Sequence, residues 1–311
     1  MVSALWHNAR PKVFGIACAL GALISDGAMA QNSPEDQSFT WAVPAFAPAF
    51  IHEQGQLTGY AADTQNWFAA QLPQYRHDVL HVPLARLLAE MKNGEGALRC
   101  STTLIPTPER REYITFAKTI LLHLPISIVI RAEDEDRFTP YLNKEGHIEL
   151  DRLLADESLS TAVRIGRAYG SRVDGHLNRF RDTHQVMQVA EDTKFVRMLD
   201  LKRIDWTLYF PSEAEYYRRT QTPELEIKAL PIAGNTTLLE ATIGCAKTPA
   251  GQKAIAEINT IVDDNPTMPW TEFYANWLGP NDREWFNAAR DQYIHAEHFE
   301  TRLEYSPSTA Q

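Results

Sequence analysis

The sequence predicts two α/β lobes, in which strands alternate with helices. One alternating block runs over residues 39–103, and a second runs over residues 149–230. The chain has 311 residues, of which 44% are hydrophobic, so it can bury two cores of about 100–150 residues each.

The first block begins with a buried strand and contains a clearly amphipathic helix. That helix has Leu84, Leu87, Leu88 and Met91 on one face and ends at Asn93-Gly94. The predicted elements are strand 39–43, loop 44–50, a turn with a short strand at 55–59, helix 61–72, strand 77–82, helix 83–92 and strand 97–103.

The second block follows a long β-rich run at 121–131 and a charged segment at 132–136. Its predicted elements are helix 149–155, strand 160–165, a glycine-bearing loop 166–171, helix 172–180, strand 185–189, helix 193–201, strand 204–210 and segment 225–230. A turn at 233–235 and a strand at 239–245 come next, and helices at 251–262 and 270–297 complete the chain.

The first 30 residues are predicted to be a signal peptide cleaved after Ala30. A basic start precedes an apolar stretch at 13–24, and Ala28-Met29-Ala30 is a small-x-small cleavage site. The apolar stretch is too short to span a bilayer. The residues before Cys18 fit a lipobox poorly, so we expect an exported, periplasmic protein without a lipid anchor.

The net charge of −10 argues against nucleic acid and anionic membranes as partners. The mature chain would keep two cysteines, Cys100 and Cys245. In an oxidising compartment such a pair predicts a disulfide bond. Two separately buried thiols are the alternative.

The segment that starts at Thr107 predicts a helix N-terminus. Thr107 suits the N-cap position, and Pro108 suits the first helical position. Arg110 then lies on the first turn, where cations are usually disfavoured by the helix dipole. Arg110 either receives an anion or pairs with surface acids such as Glu109 and Glu112.

Catalytic and metal motifs are absent from the sequence. There is no Gly-x-Ser-x-Gly elbow, phosphate loop or His-Glu-x-x-His motif. His295 and His298 are interpreted as a solvated helix face, and the acidic segment 133–136 as a solvated loop. His123 and Glu109 are the nearest candidates by sequence for a catalytic acid and base, but a structural role explains each of them better. We expect no catalytic residue, metal or cofactor.

The order of the motifs resembles the family 3 extracellular solute-binding proteins, the periplasmic partners of polar amino-acid ABC transporters. The resemblance is carried by GQLTGY at 55–60, VPLARLLAEMKNGEGALRCSTTLIPTPERREYITFAKTI at 82–120, RIGRAYGSRVDGHL at 164–177 and KFVRMLDLKRIDWTLYF at 194–210. It implies the type II periplasmic binding protein fold, with two lobes that close on a ligand. The implied lobes are 31–127 with 241–311, and 128–240, joined by crossovers near 128–132 and 235–241.

The resemblance also implies a binding site between the lobes. Arg110 matches the arginine that grips a ligand carboxylate, and Ser171 with Arg172 matches the loop that offers N–H groups to it. The other matched positions are an aromatic platform at Phe46, polar contacts at Thr102 and Thr103, and cleft-lining side chains at Tyr209 and Phe210. Cys100 and Cys245 fall on strands that the resemblance places in the first lobe.

Two departures from the family pattern concern the ligand. Phe210 stands where the family has an acid that pairs with the ligand's ammonium group, and Ile105 replaces a serine or threonine. An unpaired ammonium would be costly to desolvate, so a carboxylate without an amine, or a larger or aromatic anion, fits better. The alternatives are an alignment that is off by a residue, or an amine met by Glu213 or Glu215.

The predicted function is therefore solute binding rather than catalysis. We expect a monomer that captures a small carboxylate-bearing solute for an inner-membrane ABC permease. The alternatives are an enzyme on the binding fold, such as a dehydratase or lyase, and a receptor-type sensor lobe. A paired acid and base in the cleft would favour the enzyme.

Overall fold

The first sheet forms the framework of one lobe. The computed structural model describes residues 38–94 and 98–304, so the predicted signal peptide lies outside it. The elements of this part are β1 (Ser38–Val43), β2 (Ile51–Glu53), β3 (Gln56–Thr58), α1 (Tyr60–Ala70), β4 (Arg76–His81), α2 (Leu84–Asn93), β5 (Leu98–Leu104), β6 (Ile114–Phe116) and β7 (Leu121–His123). The strands and helices predicted between residues 39 and 103 are confirmed to within two residues at each end, and β2 was not predicted.

The second sheet belongs to the other lobe. Its part of the chain contains β8 (Ser127–Arg131), α3 (Glu135–Phe138), α4 (Leu150–Leu154), β9 (Thr161–Arg164), α5 (Ser171–Phe180), β10 (Val186–Val189), α6 (Phe195–Asp200), β11 (Trp206–Tyr209), α7 (Pro211–Gln221) and β12 (Ile227–Leu230). The chain then returns through β13 (Leu239–Ala246), α8 (Pro249–Asp264), α9 (Thr271–Ala275) and α10 (Pro280–Glu304).

Both sheets are mixed. The first has the order β4-β1-β5-β13-β6, with β7 also paired to β13, and the second has the order β10-β9-β11-β8-β12. In the first, β4, β1 and β5 are parallel, and β13 runs antiparallel to its neighbours. In the second, β10, β9 and β11 are parallel, and β8 is antiparallel to β11 and β12.

Two segments cross between the sheets, from β7 to β8 and from β12 to β13. The single β-rich run expected at 121–131 is divided, because Pro125 lies between β7 and β8 and cannot donate to a ladder. The first crossing therefore lies at 124–126 rather than at 128–132. Asn235 Nδ2 donates to the Ile126 carbonyl oxygen at 2.9 Å and so ties the two crossings together. The exact lobe boundaries stay a prediction.

Each sheet has its own hydrophobic core. The first core includes Phe39, Trp41, Phe68 and Trp270, all at most 1% exposed, with side chains from α8, α9 and α10 packed on it. The second includes Ile128, Phe138, Val163 and Trp206. The C-terminal helices therefore pack on the core of the first sheet.

The helix predicted at Thr107 is wrong in extent. The chain makes one short 3₁₀ turn, Arg110–Glu112, and Thr107 Oγ1 accepts a hydrogen bond from the Arg110 N–H at 3.3 Å. The predicted cap is therefore present, but Ile114 must return to the sheet and pair with Ala246. Burial of Ile114 in β6 ends the helix after one turn.

Two helical segments differ from expectation at the C-terminal side. Helix α7 was not predicted, although Pro211 stands at its first position, where proline is favoured. The helix expected at 270–297 is two helices, α9 and α10, because Gly279-Pro280 interrupts it.

The predicted disulfide is confirmed between Cys100 of β5 and Cys245 of β13. The two residues lie directly opposite each other in the antiparallel pair, with a Cα–Cα distance of 4.0 Å. Within the described residues, no helix is both long and apolar enough to cross a membrane.

Candidate functional site

The candidate site lies beyond the carboxyl ends of the parallel strands, where ligands bind in open α/β sheets. Loops from β1 and β5 of the first sheet face loops from β9, β10 and β11 of the second. Two cavities between the lobes share the walls Phe46, Phe210 and Glu213.

The smaller cavity, called the apolar chamber below, has a volume of about 130 Å³. Both lobes contribute to its wall. It is lined by Phe46, Tyr60, Thr103, Ile105, His123, Phe210, Ser212, Glu213, Leu239, Glu240 and Ala241.

The larger cavity, called the polar cleft below, has a volume of about 550 Å³. It is formed mainly by the second lobe, with a wall from the β1–β2 loop. It is lined by Ala45, Phe46, Ala47, Arg164, Ile165, Gly166, Arg167, Ala168, Asp192, Thr193, Phe210, Glu213 and Tyr217.

Three of the predicted binding residues come together at these cavities. Phe46, Thr103 and Phe210 line the apolar chamber, and Phe46 and Phe210 also line the polar cleft. The Phe46 side chain is 43% exposed in its loop, where its carbonyl oxygen accepts a hydrogen bond from the Phe50 N–H at 2.8 Å. An exposed aromatic ring at a cavity wall is suited to contact an apolar solute.

Two other predicted residues are buried beside the cavities rather than in their linings. Thr102 is inaccessible, and its Oγ1 has no hydrogen-bond partner among the described residues. Tyr209 is also inaccessible, and its hydroxyl donates to the Asp192 carbonyl oxygen. Tyr209 therefore packs inside the second lobe, and of these two neighbours only Phe210 lines the cleft.

Arg110 lies near the chamber without lining it. Its Nη1 donates to the Ile105 carbonyl oxygen at 3.1 Å, and the Ile105 side chain is part of the chamber wall. Ser171 is exposed at the start of α5, and the Arg172 guanidinium lies against Gly234 in the second crossing. Neither Ser171 nor Arg172 lines the two cavities. A binding role for these three residues stays a prediction.

An ion triad that sequence analysis did not identify forms one wall of the polar cleft. Arg167 donates from Nη1 to Asp192 and from Nη2 to Glu213, both at 2.6 Å. The guanidinium carbon also lies 5.4 Å from the Tyr169 ring centroid and 5.8 Å from that of Phe210. Two carboxylates and aromatic faces therefore hold the guanidinium in one place.

Glu213 of this triad is almost completely buried at the start of α7. Burial raises the pKa of its carboxyl, and the Arg167 charge opposes that shift. The same burial acts against the charge of Arg167, but Glu213 and Asp192 raise the pKa of Arg167 overall. The geometry favours an ionised pair, because both oxygen–nitrogen distances are those of charge-assisted hydrogen bonds. The sequence signal for Glu213 was its position two residues after Pro211, where an acid suits the first turn of a helix.

His123 is another titratable group in the lining of the apolar chamber. Burial lowers the pKa of its imidazole to about 4, although a hydrogen bond with the Leu239 backbone opposes the shift. Its ring contacts Tyr60 and Tyr274 edge-on, at centroid distances of 5.3 and 5.0 Å. Its Nε2 is buried and has no hydrogen-bond partner among the described residues.

Across the described residues, no three His, Cys, Asp or Glu side chains come together as a potential metal site. His295 is exposed on α10. The side chains of Glu297 and His298 lie outside the described part.

The model of one protein family matches most of the chain. The family is the bacterial extracellular solute-binding proteins, family 3, and the match covers residues 41–280. The chain belongs to this family. A comparison with curated protein sequences finds no match.

Solved structures of this solute-binding class share the two-lobed fold. Substrate binding domain 2 of GlnP from Lactococcus lactis is 14% identical, with a TM-score of 0.56 over 79% of this chain and 97% of that one. The L-cystine solute receptor of Neisseria gonorrhoeae is 15% identical, with a TM-score of 0.53 over 74% and 88%. An ancestral cationic amino acid solute binding protein is 13% identical, with a TM-score of 0.57 over 79% and 97%. At these identities the similarity shows the fold alone.

Proposed function

We propose that this solute-binding protein captures a small carboxylate-bearing solute between its lobes. The observation that carries the proposal is the apolar chamber, whose walls come from both lobes. A solute held there contacts both lobes at once, so binding favours the closed arrangement by its differential affinity.

Arg110 is the proposed partner of the carboxylate. Its guanidinium is tethered to the backbone of Ile105, a residue of the chamber wall, and it keeps further N–H donors. A planar fork of this kind binds a carboxylate with two parallel hydrogen bonds. Ser171 and Arg172 are proposed to approach the same group when the lobes close.

An amino acid is the second candidate solute, because Glu213 lines the chamber. The family has an acid at the position of Phe210. Glu213 stands three residues later in the chain, and it lines the same cavity. Glu215 does not line either cavity; its oxygens bind Arg218 and Arg219. Of the two acids considered for an amine, Glu213 is therefore the one in position.

The wider setting follows from the family. We propose that the protein is exported to the periplasm, acts as a monomer and delivers its solute unchanged to an inner-membrane ABC permease. His123 and Glu213 both line the chamber, which is the arrangement that an enzyme alternative would require. Glu213 is already engaged by Arg167, and this favours a binding role over proton transfer.

The experiment is a thermal-shift screen of carboxylates, amino acids and aromatic acids, followed by calorimetry on the compounds that stabilise the protein. Arg110→Ala is expected to weaken binding of such a compound by about 2–4 kcal/mol, since a charge-assisted bidentate contact is lost. Arg111→Ala, an exposed neighbour in the same turn, is the matched control and should retain binding.

Equal affinities of the Arg110→Ala and unchanged proteins would exclude Arg110 as the carboxylate ligand. Incubation with the bound compound followed by mass analysis tests the enzyme alternative. Recovery of a converted product would replace the binding role with a catalytic one.

A further inference from the structure

The size of the apolar chamber limits what it can hold. Its volume of about 130 Å³ is close to the ~150 Å³ of a protein cavity that accepts one benzene molecule. One ring or one branched aliphatic group therefore fills the chamber. Any further atoms of the solute must lie outside it.

The polar cleft is the neighbouring space that can take those atoms. It borders the chamber, because Phe46, Phe210 and Glu213 form walls of both cavities. Eight large hydrophobic side chains among the described residues are exposed, and half of them line these two cavities. Their concentration at one place indicates that an apolar part of a solute passes along this wall.

Of the two cavity linings, only that of the cleft contains positively charged side chains. Among the residues described for the chamber lining there is no lysine or arginine, whereas Arg164 and Arg167 line the cleft. Arg167 is engaged by two carboxylates at 2.6 Å. Arg164 lies 3.4 Å from Asp192, and its side chain is 48% exposed. Its fork is therefore accessible to an anion that enters the cleft.

We propose that the solute is two-ended: a carboxylate at Arg110, an apolar middle in the chamber, and a second anionic group bound by Arg164 in the polar cleft. This inference rests on the proposed function and narrows its solute class to elongated dianions. Arg167 acts as a positioning residue, because it fixes Asp192, the acid that contacts Arg164.

Three probes that differ at one end test the proposal by calorimetry. Phenylacetate has one carboxylate, 4-(carboxymethyl)benzoate adds a second at the far end of the ring, and 4-carbamoylphenylacetate replaces that second charge with an amide. The dianion is expected to bind the unchanged protein about tenfold more tightly than either monoanion, as one added charge-assisted contact predicts.

Variants of Arg164 test whether the higher affinity for the dianion comes from the polar cleft. Arg164→Ala should remove the tenfold advantage and leave the affinity for phenylacetate unchanged, and Arg164→Lys should restore part of it. Arg197→Ala is the matched control, since Arg197 is 52% exposed in the same lobe, pairs with Asp200 and lines neither cavity. It should leave all three affinities unchanged.

The outcomes separate this inference from the proposed function. Equal affinities for the three probes, or an equal loss for mono- and dianion in Arg164→Ala, would overturn the second anion site while carboxylate binding stands. Failure of all three probes would also overturn it, and the proposed function would then depend on the wider screen alone.

Discussion

His123 is neutral at physiological pH, because its ring lies between Tyr60 and Tyr274 and is shielded from water. The unfolded chain binds a proton at His123 below pH 6.5, whereas the folded chain binds it only near pH 4. The contribution of His123 to stability is therefore complete above pH 6.5 and is lost as the pH falls towards 4.

His123→Asn should weaken the pH dependence of unfolding in this range. At pH 4.5 the unchanged protein is expected to lose about 2–3 kcal/mol of unfolding free energy through His123, compared with pH 7. Urea unfolding at the two pH values, for both proteins, measures this loss. A variant whose pH dependence matches that of the unchanged chain would show that His123 titrates normally.

Single side chains also show what sequence patterns can and cannot predict about the site. Phe46, Thr103 and Phe210 were matched to site positions through the family resemblance, and the structure places all three at the chamber. The pairing of Arg167 with Glu213 spans 46 positions and depends on how β9 and β11 align, which no local pattern contains.

At the scale of elements, the loop that carries Phe46 is held against the start of α1. Gly59 has φ +113°, and a Cβ there would lie 2.4 Å from the Pro48 carbonyl oxygen and 2.5 Å from that of Ala49. Backbone N–H groups of Ala61 and Ala62 donate to the Ala49 oxygen. The fit leaves no room for a side chain, so this position requires glycine.

Gly59→Ala should therefore destabilise the protein by about 3 kcal/mol or more and displace the loop from the chamber. Gly55→Ala is the matched control, because Gly55 has φ +79° but nothing within 4 Å of an added Cβ. It should cost only about 1 kcal/mol. Urea unfolding of both variants measures the difference, and similar costs would mean that the loop does not press on Gly59.

The pairing of β5 with β13 gives a second prediction at this scale. The disulfide joins residues 145 positions apart, and in the chain-entropy model such a loop contributes up to about 5 kcal/mol. Replacing both Cys100 and Cys245 with serine should lower the unfolding free energy by up to about 5 kcal/mol. Reductant should destabilise the unchanged protein similarly and leave the variant unaffected. Two free thiols in the native protein by mass spectrometry would contradict the bond.

Strands were easier to predict than helix ends, for physical reasons. Strand β8, for example, is buried throughout and carries an unbroken apolar run at 128–130 that marks it directly. The segment after Thr107 has helix-start residues, but the burial of Ile114 in the sheet overrides them. Helix α7 lacks a helical apolar period, because its buried residues are the consecutive run 211–215.

At the scale of the whole molecule, the two lobes are joined by two covalent crossings and by contacts near them. Tyr274 of the first lobe accepts a hydrogen bond from the Leu124 N–H at 3.1 Å, beside the first crossing. Arg219 of α7 donates to the carbonyl oxygens of Asn276 and Leu278 at 3.2 and 3.3 Å. The Arg219 hydrogen bonds therefore join the second lobe to the first outside the two covalent crossings.

Solute that bridges the lobes should make the molecule more compact. The radius of gyration from small-angle scattering is expected to fall, at saturation, towards about 19 Å, the value for a compact chain of this length. The Arg110→Ala protein at the same solute concentration is the control and should keep its larger radius. A scattering profile that does not change at saturation would contradict closure.

The position of β13 constrains the order in which the lobes can be completed. β13 pairs with β5, β6 and β7, yet it follows the whole second sheet in the chain. A chain that emerges from its N-terminus can assemble the second sheet while the first still lacks a central strand. The sheet whose synthesis starts first is thus completed last. Until β13 is made, the edges of β5 and of the other early strands stay unpaired and are sites for aggregation.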